Sequence, residues 1–190
     1  MKVAFVCEDP TNDQYIVRPV LQALLADLGR PRARVFPVTN PRTTGFDSLL
    51  AHACEILDRY SQQAAAVIFV IDLDCDDGSP GRRNKPQRLR NALSQCAGTL
   101  NTVSVAAVQE VEVWALWGVR NELADSWTEV RAQCDPKDIY FEGQITKADG
   151  LTPDGGRRRL VESALASGWR SIAGACPELA DLREELAQLI

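Results

Sequence analysis

Apolar positions along this chain follow two rhythms that take turns. Nearly unbroken apolar runs at 2–7, 33–38, 67–71 and 101–108 have the length and β-branched content of buried strands. Between them, apolar residues return at helical spacing. Ile16, Val17, Val20, Leu21, Leu24, Leu25 and Leu28 form one stripe, and Phe46, Leu49, Leu50, Ala53, Ile56, Leu57 and Tyr60 form a second. The Thr-x-x-Gln spacing at 11–14 predicts a capping box before the first helix, and Gly29 a stop after it. A third helix is predicted over roughly 87–96, and a fourth starts at Glu110 and extends or restarts through 133. This alternation predicts an α/β fold with a mostly parallel central sheet of about four strands and helices on both faces.

From 134 to 156 the periodicity fades into a long loop with a short strand over 139–141. Two helices are predicted to close the chain, the second opening at Pro177 and carrying Leu179, Leu182, Leu186 and Leu189. The expected organisation is one α/β domain over 1–133, with the helical extension 134–190 packing on it. At 190 residues the chain is long enough for one well-buried domain.

The polar residues change this picture at the strand ends. In open α/β sheets, ligands bind beyond the carboxyl ends of the strands. The first predicted strand ends in Glu8 and Asp9, the third in Asp72, Asp74, Asp76 and Asp77, and the fourth in Glu110 and Glu112. Strand alternation places Asp72 and Asp74 on one face, where two carboxylates need protons, cationic partners or a metal ion. Hard oxygen ligands of this kind suit Mg²⁺ or Mn²⁺. Glu8, Asp72 and Asp74 are therefore the expected metal ligands, whereas Asp9, Asp76 and Asp77 read as turn or cap residues.

Composition adds constraints. A net charge of −5 argues against broad adhesion to nucleic acid but permits a local cationic surface. Such a surface is expected at Arg82, Arg83, Lys85, Arg88 and Arg90, and at Arg157, Arg158 and Arg159, which open a helix against its dipole. The six cysteines include no CxxC pair, and His52 is the single histidine, so zinc is not expected. The cysteines read as mostly reduced, buried small residues, and the chain, with no signal-peptide pattern or membrane-length apolar run, as cytoplasmic. Trp114, Trp117 and Trp127 read as core residues, and His52 as structural. No Gly-x-x-x-x-Gly-Lys-Ser/Thr loop is present, so ATP hydrolysis by this chain is not expected.

Glu8 after the first strand, Asp72-Leu73-Asp74 after the third and Glu112-Val113-Trp114 after the fourth together resemble the Toprim fold. The likeness is greatest to the small stand-alone Toprim proteins of the DUF4276 and OLD-nuclease type, and it covers about residues 2–117. The resemblance implies a Toprim-like parallel sheet, Glu8 in acid–base chemistry or metal binding, and Asp72 and Asp74 as Mg²⁺ ligands. It also implies a Mg²⁺-dependent nuclease acting on DNA or RNA and working beside a separate ATPase in phage defence. Glu112 would be a supporting catalytic acid. The late basic residue of such nucleases falls to Lys147, with Arg157, Arg158 and Arg159 qualifying by type. Two other readings stand beside this one: a receiver-like Mg²⁺-binding signalling domain, and a non-catalytic Toprim-like subunit of an ATPase complex.

Overall fold

A computed structural model describes residues 1–75, 84–97 and 100–190. Asp76, Asp77, Arg82 and Arg83 lie outside the described residues. The chain runs β1 (Lys2–Val6), α1 (Gln14–Asp27), β2 (Arg34–Pro37), α2 (Phe46–Tyr60), β3 (Ala66–Asp72), α3 (Lys85–Ser94) and β4 (Asn101–Ala107). Helices α4 (Glu112–Leu116), α5 (Trp127–Ala132), α6 (Arg157–Ala166), α7 (Trp169–Ala175) and α8 (Pro177–Leu189) follow, joined by short 3₁₀ and π turns. The four strands form a parallel sheet in the order β2-β1-β3-β4. The α/β expectation is met, with helices on both faces and a helical C-terminal part.

The period-two alternation of the strands divides the core into two layers. Val3, Phe5, Ala66, Ile68, Val70, Val103 and Val105 pack on one face with α1, α4 and α6–α8. Ala4, Val6, Val67, Phe69 and Ile71 pack on the other with α2 and α3. Residues 66–71 of β3 are at most 1% exposed, as a central strand covered on both faces must be. Leu160, Val161, Leu179, Leu182 and Leu186 belong to the same buried cluster as β1, so the C-terminal helices complete the first layer.

Local expectations fail in four places. Thr11 does not cap α1; Asp9 does the turn-making instead, accepting the backbone N–H groups of Thr11 (2.9 Å) and Asn12 (3.4 Å). Residues 139–141 form a π turn rather than a strand, which buries Tyr140 and Phe141 on one side. The predicted helix through 121–133 shortens to α5, where Ser126 and Glu129 make a full capping box. An unpredicted helix, α7, precedes Pro177 and buries Trp169 and Ile172.

The cysteines depart furthest from expectation. Cys54 pairs with Cys96, and Cys75 with Cys134, leaving Cys7 and Cys176 as buried thiols. Scattered sequence positions concealed both pairs, because the sheet crossovers bring them together. Among the described residues no helix is long and apolar enough to cross a membrane.

A candidate acidic site at the carboxyl edge of the sheet

The chain leaves β1 for β2 on one side and returns to β3 on the other, so β1 and β3 flank the point where strand order reverses. Crevices open at such points. Here a cavity of about 170 Å³ is lined by Glu8, Asp9, Asn12, Asp13, Gly45, Asp72, Glu110, Glu112, Lys137 and Arg157. Six of these side chains are carboxylic and two are basic, a charge imbalance concentrated in a small volume.

Strand alternation explains why the acids divide. Asp72 continues the parity of Ile68 and Val70 and turns toward the α1–α4–α6 layer, where its Oδ1 accepts the backbone N–H of Val111 at 2.9 Å. Burial pushes its carboxyl well above the ordinary range, reinforced by the nearby charges of Asp13, Glu8 and Glu112. Glu8 continues the parity of Ala4 and Val6 and turns toward the α2–α3 layer. Its Oε1 accepts the Asp72 backbone N–H at 3.0 Å. Burial raises the Glu8 carboxyl too, partly offset by Lys85.

Asp74 does not share a face with Asp72. Its φ of 53° puts it in left-handed backbone beyond the strand end, which cancels the period-two rule. Its Oδ2 instead pairs with Lys85 Nζ at 2.7 Å. Lys85 Nζ also donates to Glu8 Oε1 (3.0 Å), Glu8 Oε2 (3.2 Å) and the Asp72 carbonyl (3.0 Å). This lysine, 4% exposed, takes the cation position between Glu8 and Asp74. Burial works against its charge, but the bonds to Asp74 and Glu8 hold its ammonium above the ordinary lysine value. Lys85 was expected on a local cationic surface with Arg88 and Arg90. The structure turns it inward.

Glu112 is buried at the start of α4 and pairs with Arg157 Nη2 at 3.1 Å. The Arg157 guanidinium also lies over the Phe141 ring, and its buried Nε has no hydrogen-bond partner among the described residues. Arg157 thus belongs to the pocket. Arg158, exposed, stacks over Tyr15, and Arg159 pairs with Asp149. Arg88 pairs with Asp47 at 2.6 Å on the outer surface. Lys147 is exposed and does not line the cavity; Lys137 does, its backbone N–H bonding Glu110 Oε2 at 3.0 Å. Trp114 is core, its Nε1 donating to Glu178, and Trp117 and Trp127 pack edge to face 5.1 Å apart. His52 lies on the surface of α2 beside Glu55.

Asp13 is the residue that sequence reasoning passed over. It is 7% exposed, its Oδ2 accepts the Asp9 backbone N–H at 2.9 Å, and it lines the cavity. Burial, then the Glu112 charge, pushes its carboxyl up to about 7. The available signal was its place one turn beyond a strand-end acid, which the capping-box reading masked.

The donor set suits a hard divalent cation by type. Among the described residues, however, no three acidic, histidine or cysteine side chains form a ready cation cage. Lys85 bridges Glu8 and Asp74, and the left-handed backbone at Asp74 turns it away from Asp72. Mg²⁺ needs less than a cage, being commonly held by one or two carboxylates with waters and a substrate phosphate. No protein-family model, curated protein or solved structure matches the chain.

Proposed function

We propose that this chain is a Mg²⁺- or Mn²⁺-dependent phosphodiester hydrolase acting on nucleic acid, with the acidic cavity as its site. The observation that carries the reading is the gathering of six carboxylates in one small cavity at the strand-order reversal. The likeness of Glu8, the Asp72-Asp74 pair and Glu112 to Toprim nucleases supports it further. At about 170 Å³ the cavity suits a hydrated ion with a phosphate better than a whole nucleotide, since small-molecule pockets typically span about 300–1,000 Å³. The rest of a polymeric substrate would lie outside it.

Asp72 and Glu8, linked through the Asp72 N–H, are the residues that would hold the ion. Asp74 joins them only if Lys85 withdraws. A divalent ion bound there supplies Lewis-acid polarisation of a phosphoryl oxygen. Asp13, with a carboxyl near 7, is suited to taking or giving a proton at neutral pH. Arg157, already held by Glu112, and Lys137 offer positive charge to a phosphate entering the cavity. Glu112 acts through Arg157 as a positioning residue.

The test is cleavage of single- and double-stranded DNA and RNA with Mg²⁺ or Mn²⁺, comparing wild type with Asp72→Ala and Asp74→Ala. Activity should fall at least about a hundredfold in Asp72→Ala, the scale of losing a catalytic electrostatic group. Equal activity in all three proteins would sink the proposal.

A further inference from the structure

We propose that the two cystines form a redox-modification site that holds Lys85 on Glu8 and Asp74, and that a dithiol reductant releases it. Release of Lys85 needs nothing from the hydrolase reading; only its consequence for a metal ion rests on that reading.

Among the described residues, the buried side chains of α3 are few. Lys85 and Leu89 are its fully buried side chains, with Leu93 partly buried against the α2–α3 layer. Lys85 is its first residue, held at that end by its ion pairs with Glu8 and Asp74, a bond to the Asp72 carbonyl and a cation–π contact with Phe46, over which Arg88 also lies. At the other end Cys96, two residues past the helix, is bonded to Cys54 of α2. The partner of Lys85 is fixed in the same way. Asp74 is followed directly by Cys75, which is bonded to Cys134. Each side of the Lys85–Asp74 ion pair is thus tied covalently to a different part of the fold.

The second cystine also reaches the cavity wall. Cys134 lies three residues before Lys137, whose backbone N–H holds Glu110. One bond therefore joins the loop after β3 to the segment forming the opposite rim. Leu73 N and Asp74 N bond the carbonyls of Ala107 (2.9 Å) and Gln109 (3.1 Å), so displacement of Cys75 is transmitted to the β4 end as well.

The chemistry is open to exchange. Cys54 and Cys134 are exposed, and Cys75 and Cys96 half-buried, so a thiolate can reach each pair. Cys7 and Cys176 are buried, and burial pushes the Cys176 thiol up to about 12 and that of Cys7 higher still. They stay protonated and do not compete. Each protein S–S bond breaks with uptake of two electrons and two protons from a dithiol, which closes to its own cyclic disulfide; two protein S–H bonds form. With both clasps open, α3 is held, among the described residues, by Leu89, Leu93 and the Phe46 contacts without a covalent tie, and a divalent cation can replace the single charge of Lys85 at Glu8 and Asp74.

The experiment uses the full chain, oxidised or reduced with dithiothreitol and desalted without oxygen. Iodoacetamide labelling counts thiols, amide exchange follows residues 72–75 and 84–90, and electron paramagnetic resonance measures binding of Mn²⁺ alone. Reduction should add four labelled cysteines and speed exchange over 84–90 by about tenfold or more. It should tighten Mn²⁺ binding by about tenfold, and oxidised Lys85→Met should show that tighter binding without reductant. Four added labels with unchanged exchange would overturn the proposal, as would labelling of all four before reduction. Faster exchange with no Mn²⁺ bound in any form would leave redox control of Lys85 standing and remove the metal reading instead.

Discussion

Asp13→Asn isolates what burial of negative charge costs this fold. The Asp13 carboxyl is raised from 3.8 to about 7, with burial as the first cause and Glu112 as the second. A carboxyl raised in the folded state favours the folded protein when protonated. Its contribution is complete below the unfolded value near 4 and is lost as pH rises through 7. A displacement of about three pKa units corresponds to roughly 4 kcal/mol, at 1.36 kcal/mol per unit. Asparagine keeps the acceptor for the Asp9 N–H, which is 2.9 Å away, and removes the charge. The variant should therefore match wild type at about pH 3, below the unfolded value, and exceed it at pH 8 by about 2–4 kcal/mol. With a urea dependence of about 2 kcal/mol per molar, the unfolding midpoint should rise by roughly 1–2 M at pH 8 and hardly at all at pH 3. Comparing variant with wild type at each pH cancels the similar contributions of Asp72 and Glu8, whose carboxyls are also raised. A variant less stable than wild type at pH 8, or equally shifted at both pH values, would refute the reasoning. It would mean that the charge of Asp13 is stabilised by Arg157 rather than penalised by burial.

Other substitutions test other parts of the structure. Lys85→Met leaves Glu8 without its close cation and should cost about 3–5 kcal/mol at neutral pH in chemical denaturation of the oxidised protein. Gly118→Ala should cost at least about 2 kcal/mol by thermal melting, because the new Cβ would collide with the backbone of Ser163 and Ala164 on α6. The double variant Cys54→Ser with Cys96→Ser opens a loop of 42 residues' separation and should lose about 4 kcal/mol. Calorimetry of that variant with and without reductant separates this loss from that of the Cys75–Cys134 bond.

How legible the molecule was in its sequence follows from the range of the interactions involved. Strand and helix alternation, the double burial of β3 and the stripes of α1 and α2 are local periodicities, and the chain displays them directly. The strand-end rule then located Glu8, Asp72 and Glu112 at one edge, because in a parallel sheet every strand delivers its end to that edge. Asp74 was misplaced because a single left-handed residue, φ 53°, breaks a rule that holds only inside a strand. Lys85 was misplaced because the composition of its surroundings suggested an exposed loop, while the charges that draw it inward lie 77 residues away at Glu8 and 11 away at Asp74.

By itself the sequence determined the fold class, the central strand and the acidic edge, since each depends on which residue types follow one another. The tertiary structure alone decided which acids face which layer, which cation each acid meets and which cysteines pair. Those outcomes depend on distances between residues far apart in the chain: Arg157 meeting Glu112, Asp13 meeting the charge of Glu112, and Cys75 meeting Cys134. Buried charges are settled by what lies within a few ångströms, and only the packed sheet and its two helical layers establish that neighbourhood.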